Sequence, residues 1–223
     1  MTHDDAWRAV PIPAGQASYL IATAARAPSV QNTQPWRFRV GEYVIELYAD
    51  PGRKLKLDPV GREMLISCGA ALFGLRLAVR SLGYLPVVEP LPDPARPRLL
   101  ARLTLGAAEP ITPRERQLLE ALPHRHTHRG PWASGPLPPG LLAGLQHDAL
   151  AEGAQLALVD LAHAASKWVF ASLHTQPLES EPIRALIRDR LTLPGSLQIL
   201  LQLGLAHTTR ATARRPPPDL TEP

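Results

Sequence analysis

The chain has 223 residues, 45% of them hydrophobic and 20% charged, which is long enough to bury one sizeable core and too ordinary for a disordered chain or a coiled-coil rod. The net charge is +4, but the arginines are scattered and aromatics make up only 5%, so neither a stacking platform nor a basic groove helix for nucleic acid is visible. One cysteine, Cys68, excludes an internal disulfide framework and a multi-cysteine metal cluster.

A first helix is expected from about Gln16 to Arg26, ending before Pro28 because the residue preceding a proline avoids the helical region. After the loop APSVQNTQP come WRFRV (36–40) and YVIELYA (43–49), two strands joined through Gly41-Glu42 as a hairpin. From Val60 to about Leu82 the sequence predicts a long helix, apolar nearly all round in its middle and stopped at Gly83, hence central and buried. Its longest apolar stretch, Met64 to Leu75, has twelve residues between Glu63 and Arg76, so no membrane span is expected. Cys68 inside that helix reads as a small buried hydrophobe.

LPVVEP (85–90) and RLLARLTL (98–105) read as strands, the second placing Leu99, Ala101, Leu103 and Leu105 on one face. Thr112-Pro113 opens a short amphipathic helix, PRERQLLEAL, and a further helix covers PPGLLAGLQHDALAEG (138–153). AQLALVD (154–160) reads as a strand, Ala162 to Leu173 as a short helix, EPIRALIRDRL (181–191) as a helix and SLQILLQLG (196–204) as a strand. The crossovers are too irregular for a doubly wound repeat, and an α+β layer fold fits better. The opening MTHDDAWRAV lacks the basic start, apolar stretch and cleavage site of a secretory signal, so the expected location is cytoplasmic.

Glycine-rich nucleotide loops, G-x-S-x-G and H-E-x-x-H are absent from the sequence. Two segments stand out instead. In the loop 27–36, Ser29, Gln31, Asn32, Thr33 and Gln34 both donate and accept hydrogen bonds, which suits a neutral heterocycle with carbonyls and ring nitrogens. Asn32 is the chain's single asparagine, and it reads equally well as serving turn geometry. In the second segment, 123–130, His124, His126 and His128 alternate as metal ligands could, but no cysteine or nearby carboxylate completes a set. Arg125, Thr127 and Arg129 alternate too, and with the tail Arg214-Arg215 offer guanidinium forks for a phosphate; a solvated basic surface has the same composition. Trp36 and Trp132 read as packing residues.

APSVQNTQPWRF, followed by LYADPGRKLKLDPVGREMLISCGAAL, resembles the nitroreductase-like superfamily of flavin proteins, in its Acg-like actinobacterial branch. LPHRHTHRGPW is similar to the family's R-R-[ST]-x-R-x-F phosphate motif, and HTQPLESEPIRALIRDRL and LQLGLAHTTRATARRPPPDL look like the branch's C-terminal third. The resemblance implies an α+β fold, an antiparallel sheet packed with a long central helix. It also implies one nitroreductase-like domain over 1–223, with a first half-like segment at 1–110 and a shortened second at 111–223.

It further implies FMN, with Arg125, Thr127 and Arg129 on its phosphate and ribityl chain, and Pro28, Ser29 and Asn32 against the flavin from the other side. Pro177, Leu178 and Glu179 would lie along the isoalloxazine, and Arg214 with Arg215 would complete the phosphate site. The chain departs from the pattern where AQLALVD passes almost directly to SKWVFASLHTQPLE, an apparent internal deletion that a homodimer could compensate. It also departs at His126, where an arginine is usual. The implied activity is hydride transfer from NAD(P)H through FMN to a nitroaromatic or quinone-like acceptor, with no nucleic acid or membrane partner. The alternative is a non-catalytic FMN-sequestering protein or a degenerate remnant.

Overall fold

Along β1 (Trp36–Val40) two aromatics alternate with two arginines, so an extended chain must put Trp36 and Phe38 on one face and Arg37 and Arg39 on the other. A computed structural model, which describes residues 10–127, 135–159, 167–173, 196–203 and 213–221, shows that outcome: both aromatics are fully buried. β1 pairs antiparallel with β2 (Val44–Ala49), whose Ile45, Leu47 and Ala49 join the same core while Glu46 and Tyr48 turn outward. β3 (Tyr84–Pro90) and β4 (Leu99–Ala108) complete an antiparallel sheet of order β1-β2-β4-β3. The alternation read in β4 holds, with Leu99, Ala101, Leu103 and Leu105 all buried.

The inner face is covered by the 20-residue α2 (Arg62–Ser81), which touches all four strands, and α1 (Ala17–Ala24) packs on α2. α2 is, among the described residues, the one helix long and apolar enough by length and composition to cross a bilayer, and half of its apolar window is buried inside the protein. It begins two residues later than the sequence suggests. Gly61 stands at its N-terminus with φ 77°, and the buried Asp58 carboxylate accepts from the Met64 amide at 3.0 Å. The two helices approach closely at Gly74, where an added Cβ would lie 3.2 Å from Ala24 Cα.

Arg80, only 3% exposed near the end of α2, spends its guanidinium fully. Nε donates to Glu115 Oε1 at 2.8 Å, Nη2 to Glu109 Oε1 at 3.2 Å and to the Pro110 carbonyl at 2.7 Å, and Nη1 to the Glu109 carbonyl at 3.2 Å. These bonds fasten α3 (Pro113–Ala121) to α2, and α3 opens with a Thr112–Glu115 capping box and Pro113 in its first turn, as the sequence suggests.

The chain divides by contact into two compact units, Met1–Thr127 with Arg210–Pro223, and His128–Thr209. The tail belongs to the first: Leu220 is fully buried and Thr221 bridges Phe38 in parallel beside β1. The second unit contains α4 (Leu141–Ala151) and a sheet of order β5-β6-β7, from β5 (Gln155–Val159), β6 (Lys167–Leu173) and β7 (Ser196–Leu203), all antiparallel. The fold is α+β, an antiparallel sheet packed with a long helix. One element differs from expectation: the helix predicted over 162–173 is, in its described part, the central strand β6. KWVFASL is dense in aromatic and β-branched residues, which favour a paired strand. The helix expected at 181–191 lies outside the described residues.

Candidate anion-binding site

The loop between α1 and β1 is backbone-strained. Gln31, Asn32 and Gln34 have φ of 49°, 55° and 48°, and only asparagine tolerates that left-handed region readily. Each glutamine there costs about 1–2 kcal/mol. The loop is held by its own hydroxyls, Ser29 Oγ accepting from the Gln34 amide at 3.0 Å and Thr33 Oγ1 donating to the Val30 carbonyl at 2.9 Å. It is held equally by the tail, about 180 residues away in sequence. Asn32 Nδ2 donates to the Ala213 carbonyl at 3.2 Å and Asn32 Oδ1 accepts from Arg214 Nη1 at 3.2 Å. Gln34 Oε1 accepts from the Arg215 amide at 2.9 Å.

Arg125 and Arg214, 89 residues apart, meet at one point: the Nη2 of each lies 3.4 Å from the carbonyl oxygen of Arg26 at the end of the first helix. Arg125 is brought there by the turn that follows α3, where its amide donates to the Ala121 carbonyl at 2.8 Å. No carboxylate among the described residues forms an ion pair with Arg26 or Arg125. The buried Nε of Arg125 has no hydrogen-bond partner. Burial lowers the pKa of the Arg125 guanidinium; burial and then the positive charges of Arg125 and Arg26 lower that of Arg214. Both remain cations, since an arginine starts far above neutral pH. Like charges are held close with a donor to spare, and an anion relieves both conditions.

The predicted residues fare differently. Arg125, Arg214 and Asn32 come together; Ser29 pins the same loop, and Pro28, beside Ser29, and Thr127, two residues after Arg125, are exposed. Arg215 is drawn into a separate task. Its Nη2 donates to the Gln34 and Trp36 carbonyls, the latter at 3.0 Å, and its Nη1 to the Asp219 backbone carbonyl at 3.2 Å, so it clasps the tail to β1. Arg129, Pro177, Leu178 and Glu179 lie outside the described residues. Arg26 was not among the residues expected from sequence, and only the fold reveals it; Gln34, read as part of a polar loop facing a ligand, is instead bonded to Arg215 of the tail. Cys68 is fully buried, and burial, with Asp50 nearby, pushes its thiol up to about 12, consistent with a packing residue.

No family model matches the chain. Curated proteins do. "Putative NAD(P)H nitroreductase Rv3131" of Mycobacterium tuberculosis is 40% identical over 127 residues, 56% of this chain and 36% of that protein. "Putative NAD(P)H nitroreductase acg" of the same species is 37% identical over 117 residues, 52% of this chain and 35% of that protein. The chain thus matches about a third of the length of these relatives.

Proposed function

We propose, for a chain that is nitroreductase-like and Acg-like over about half its length, that the Arg26, Arg125 and Arg214 cluster holds the phosphate of FMN and that the protein serves an NAD(P)H-dependent flavin oxidoreduction. The observation that carries this reading is the convergence of Arg125 and Arg214 on the Arg26 carbonyl, with the free Nε of Arg125 beside them. A phosphate monoester of charge about −2 needs two or more guanidinium forks, and the cluster offers that donor chemistry. When bound, the flavin supplies the redox chemistry, taking hydride from the nicotinamide and passing electrons to a nitroaromatic or quinone-like acceptor.

The chain's own residues do the positioning. Asn32 spends its amide on Arg214 and the Ala213 carbonyl, so it orients a guanidinium that would hold the phosphate. Gln34 and Arg215 lock the tail that carries Arg214 against the loop. Ser29 holds the loop in its left-handed turns. The test is the visible spectrum of the full-length protein incubated with FMN and desalted, followed by NADH and NADPH oxidation with a quinone acceptor. Retained flavin bands with turnover are the expected result. Flavin without turnover would make the protein an FMN store, and folded protein without flavin would overturn the reading.

A further inference from the structure

A second cationic feature lies on the outer face of the β1-β2-β4 sheet. Arg37, Tyr48, Asp50, Arg96 and Arg98 line a groove of about 390 Å³, with Pro51 and Pro97 among its apolar lining. Its arginines are not equally committed. Arg37 bonds Asp50 at 2.9 Å, and Arg96 bonds Asp93 at 2.7 Å and reaches Glu46 at 3.8 Å. The exposed Arg98 has neither counterion nor side-chain hydrogen bond among the described residues. Asp50 is shared, since Arg53 also approaches it at 3.7 Å. Arg37 and Asp50 further line a neighbouring hollow of about 490 Å³ that reaches Thr33 and Arg53, and Arg53 Nη1 donates to the Thr33 carbonyl at 3.2 Å. Sharing Arg37 and Asp50, the two hollows make one trough that reaches from Thr33 to Arg98.

We infer that this trough binds the phosphorylated adenosine end of a nicotinamide dinucleotide, with Arg98 and Arg96 taking the ribose 2′-phosphate, so that the protein prefers NADPH to NADH. The inference rests on the proposed NAD(P)H-dependent reading for its choice of nucleotide. The chemistry is a dianion on a ribose attached to a planar base: guanidinium forks take the first, and proline and guanidinium planes take the second. The elongated trough suits an extended dinucleotide better than a compact anion. Arg98 is the discriminating group because its fork is uncommitted, whereas Arg37 and Arg96 already hold carboxylates.

The test is calorimetric titration of the full-length, FMN-saturated protein with adenosine 2′,5′-bisphosphate, 5′-AMP and inorganic phosphate. The bisphosphate should bind at least tenfold tighter than 5′-AMP, and R98A, a change at an exposed side chain, should weaken it about tenfold without altering the melting temperature. R125A should leave it unchanged. Equal binding of the two nucleotides, indifference to R98A, or competition by inorganic phosphate at equal concentration would each overturn the assignment. Because the titration reads binding and not turnover, it separates from the flavin reading: protein that retains no flavin, titrated with FMN omitted, still answers it. Competition of the bisphosphate by added FMN would show that the trough and the Arg125 cluster are one site, and would also overturn it.

Discussion

Arg80 and Arg125 are the same residue placed under opposite electrostatic conditions. Arg80 is nearly inaccessible, yet its guanidinium meets two carboxylates and two carbonyls, and the Glu115 hydrogen bond outweighs burial to raise its pKa. Arg125 is only half-buried, yet burial lowers its pKa, no carboxylate among the described residues pairs with it, and one of its donors is idle. The difference teaches that a sequestered charge becomes structural when its own chain completes its bonds. It becomes a binding element when the chain stops short. The first kind should cost stability on removal and nothing in affinity, and the second the reverse.

The largest effect should come from breaking the completed site. R80A strands Glu115 and Glu109 and is expected to destabilise the protein by about 3–5 kcal/mol, read by urea denaturation. R125A is the counterpart. It should leave the unfolding free energy from urea denaturation within about 0.5 kcal/mol of wild type while weakening FMN, measured by fluorescence titration, by about 10- to 100-fold. Equal stability losses in the two variants would erase the distinction.

Acid sharpens the comparison further. Burial pulls the Glu115 carboxyl upward, but the bonds from Arg80 and Thr112 outweigh it and hold its pKa below the usual 4.5. A carboxyl depressed by folding contributes stability above its unfolded pKa and loses it as the pH falls through the folded one. Stability should therefore decline as the pH falls below about 4.5, and E115Q should flatten that limb of a stability–pH curve. Glu46 adds to the same limb: burial opposes, but Tyr48 and Arg102 keep its pKa low. The smallest effect is expected in the strained loop. Q31G at φ 49°, an exposed position, should stabilise by about 0.5–1 kcal/mol in thermal melts, because glycine adopts that conformation without steric cost.

Much of this contrast was invisible in the sequence. The period-two pattern of Trp36 and Phe38 against Arg37 and Arg39, and of Leu99 to Leu105, is local, and it revealed the sheet. The identity of Arg80 as a core residue depends on partners 29 and 35 residues away, and no periodicity marks it. Arg125 and Arg214 were named through family resemblance. From composition alone they were two basic clusters among 24 basic residues, indistinguishable from solvated surface. Arg26 carried no signal because a single arginine after a helix reads as solvated surface, and only the fold brings its carbonyl and its charge beside Arg214. Gln31 and Gln34 could not be foreseen as left-handed, since nothing about glutamine favours that region. The strand β6 was misread because Lys167–Leu173 is short, and pairing with β5 and β7 overrode a local reading.

The return of the tail to the first unit also sets a timetable. Arg26 and Arg125 leave the ribosome well before Arg214, and at about 5–20 residues per second the intervening 89 residues take about 4–18 seconds to synthesise. Until then the loop at 29–34 lacks the contacts from Ala213, Arg214 and Arg215, and the nascent core lacks Leu220. The candidate anion site thus cannot form during translation until the tail has emerged, and a phosphate ligand could engage it only after Arg214 is available.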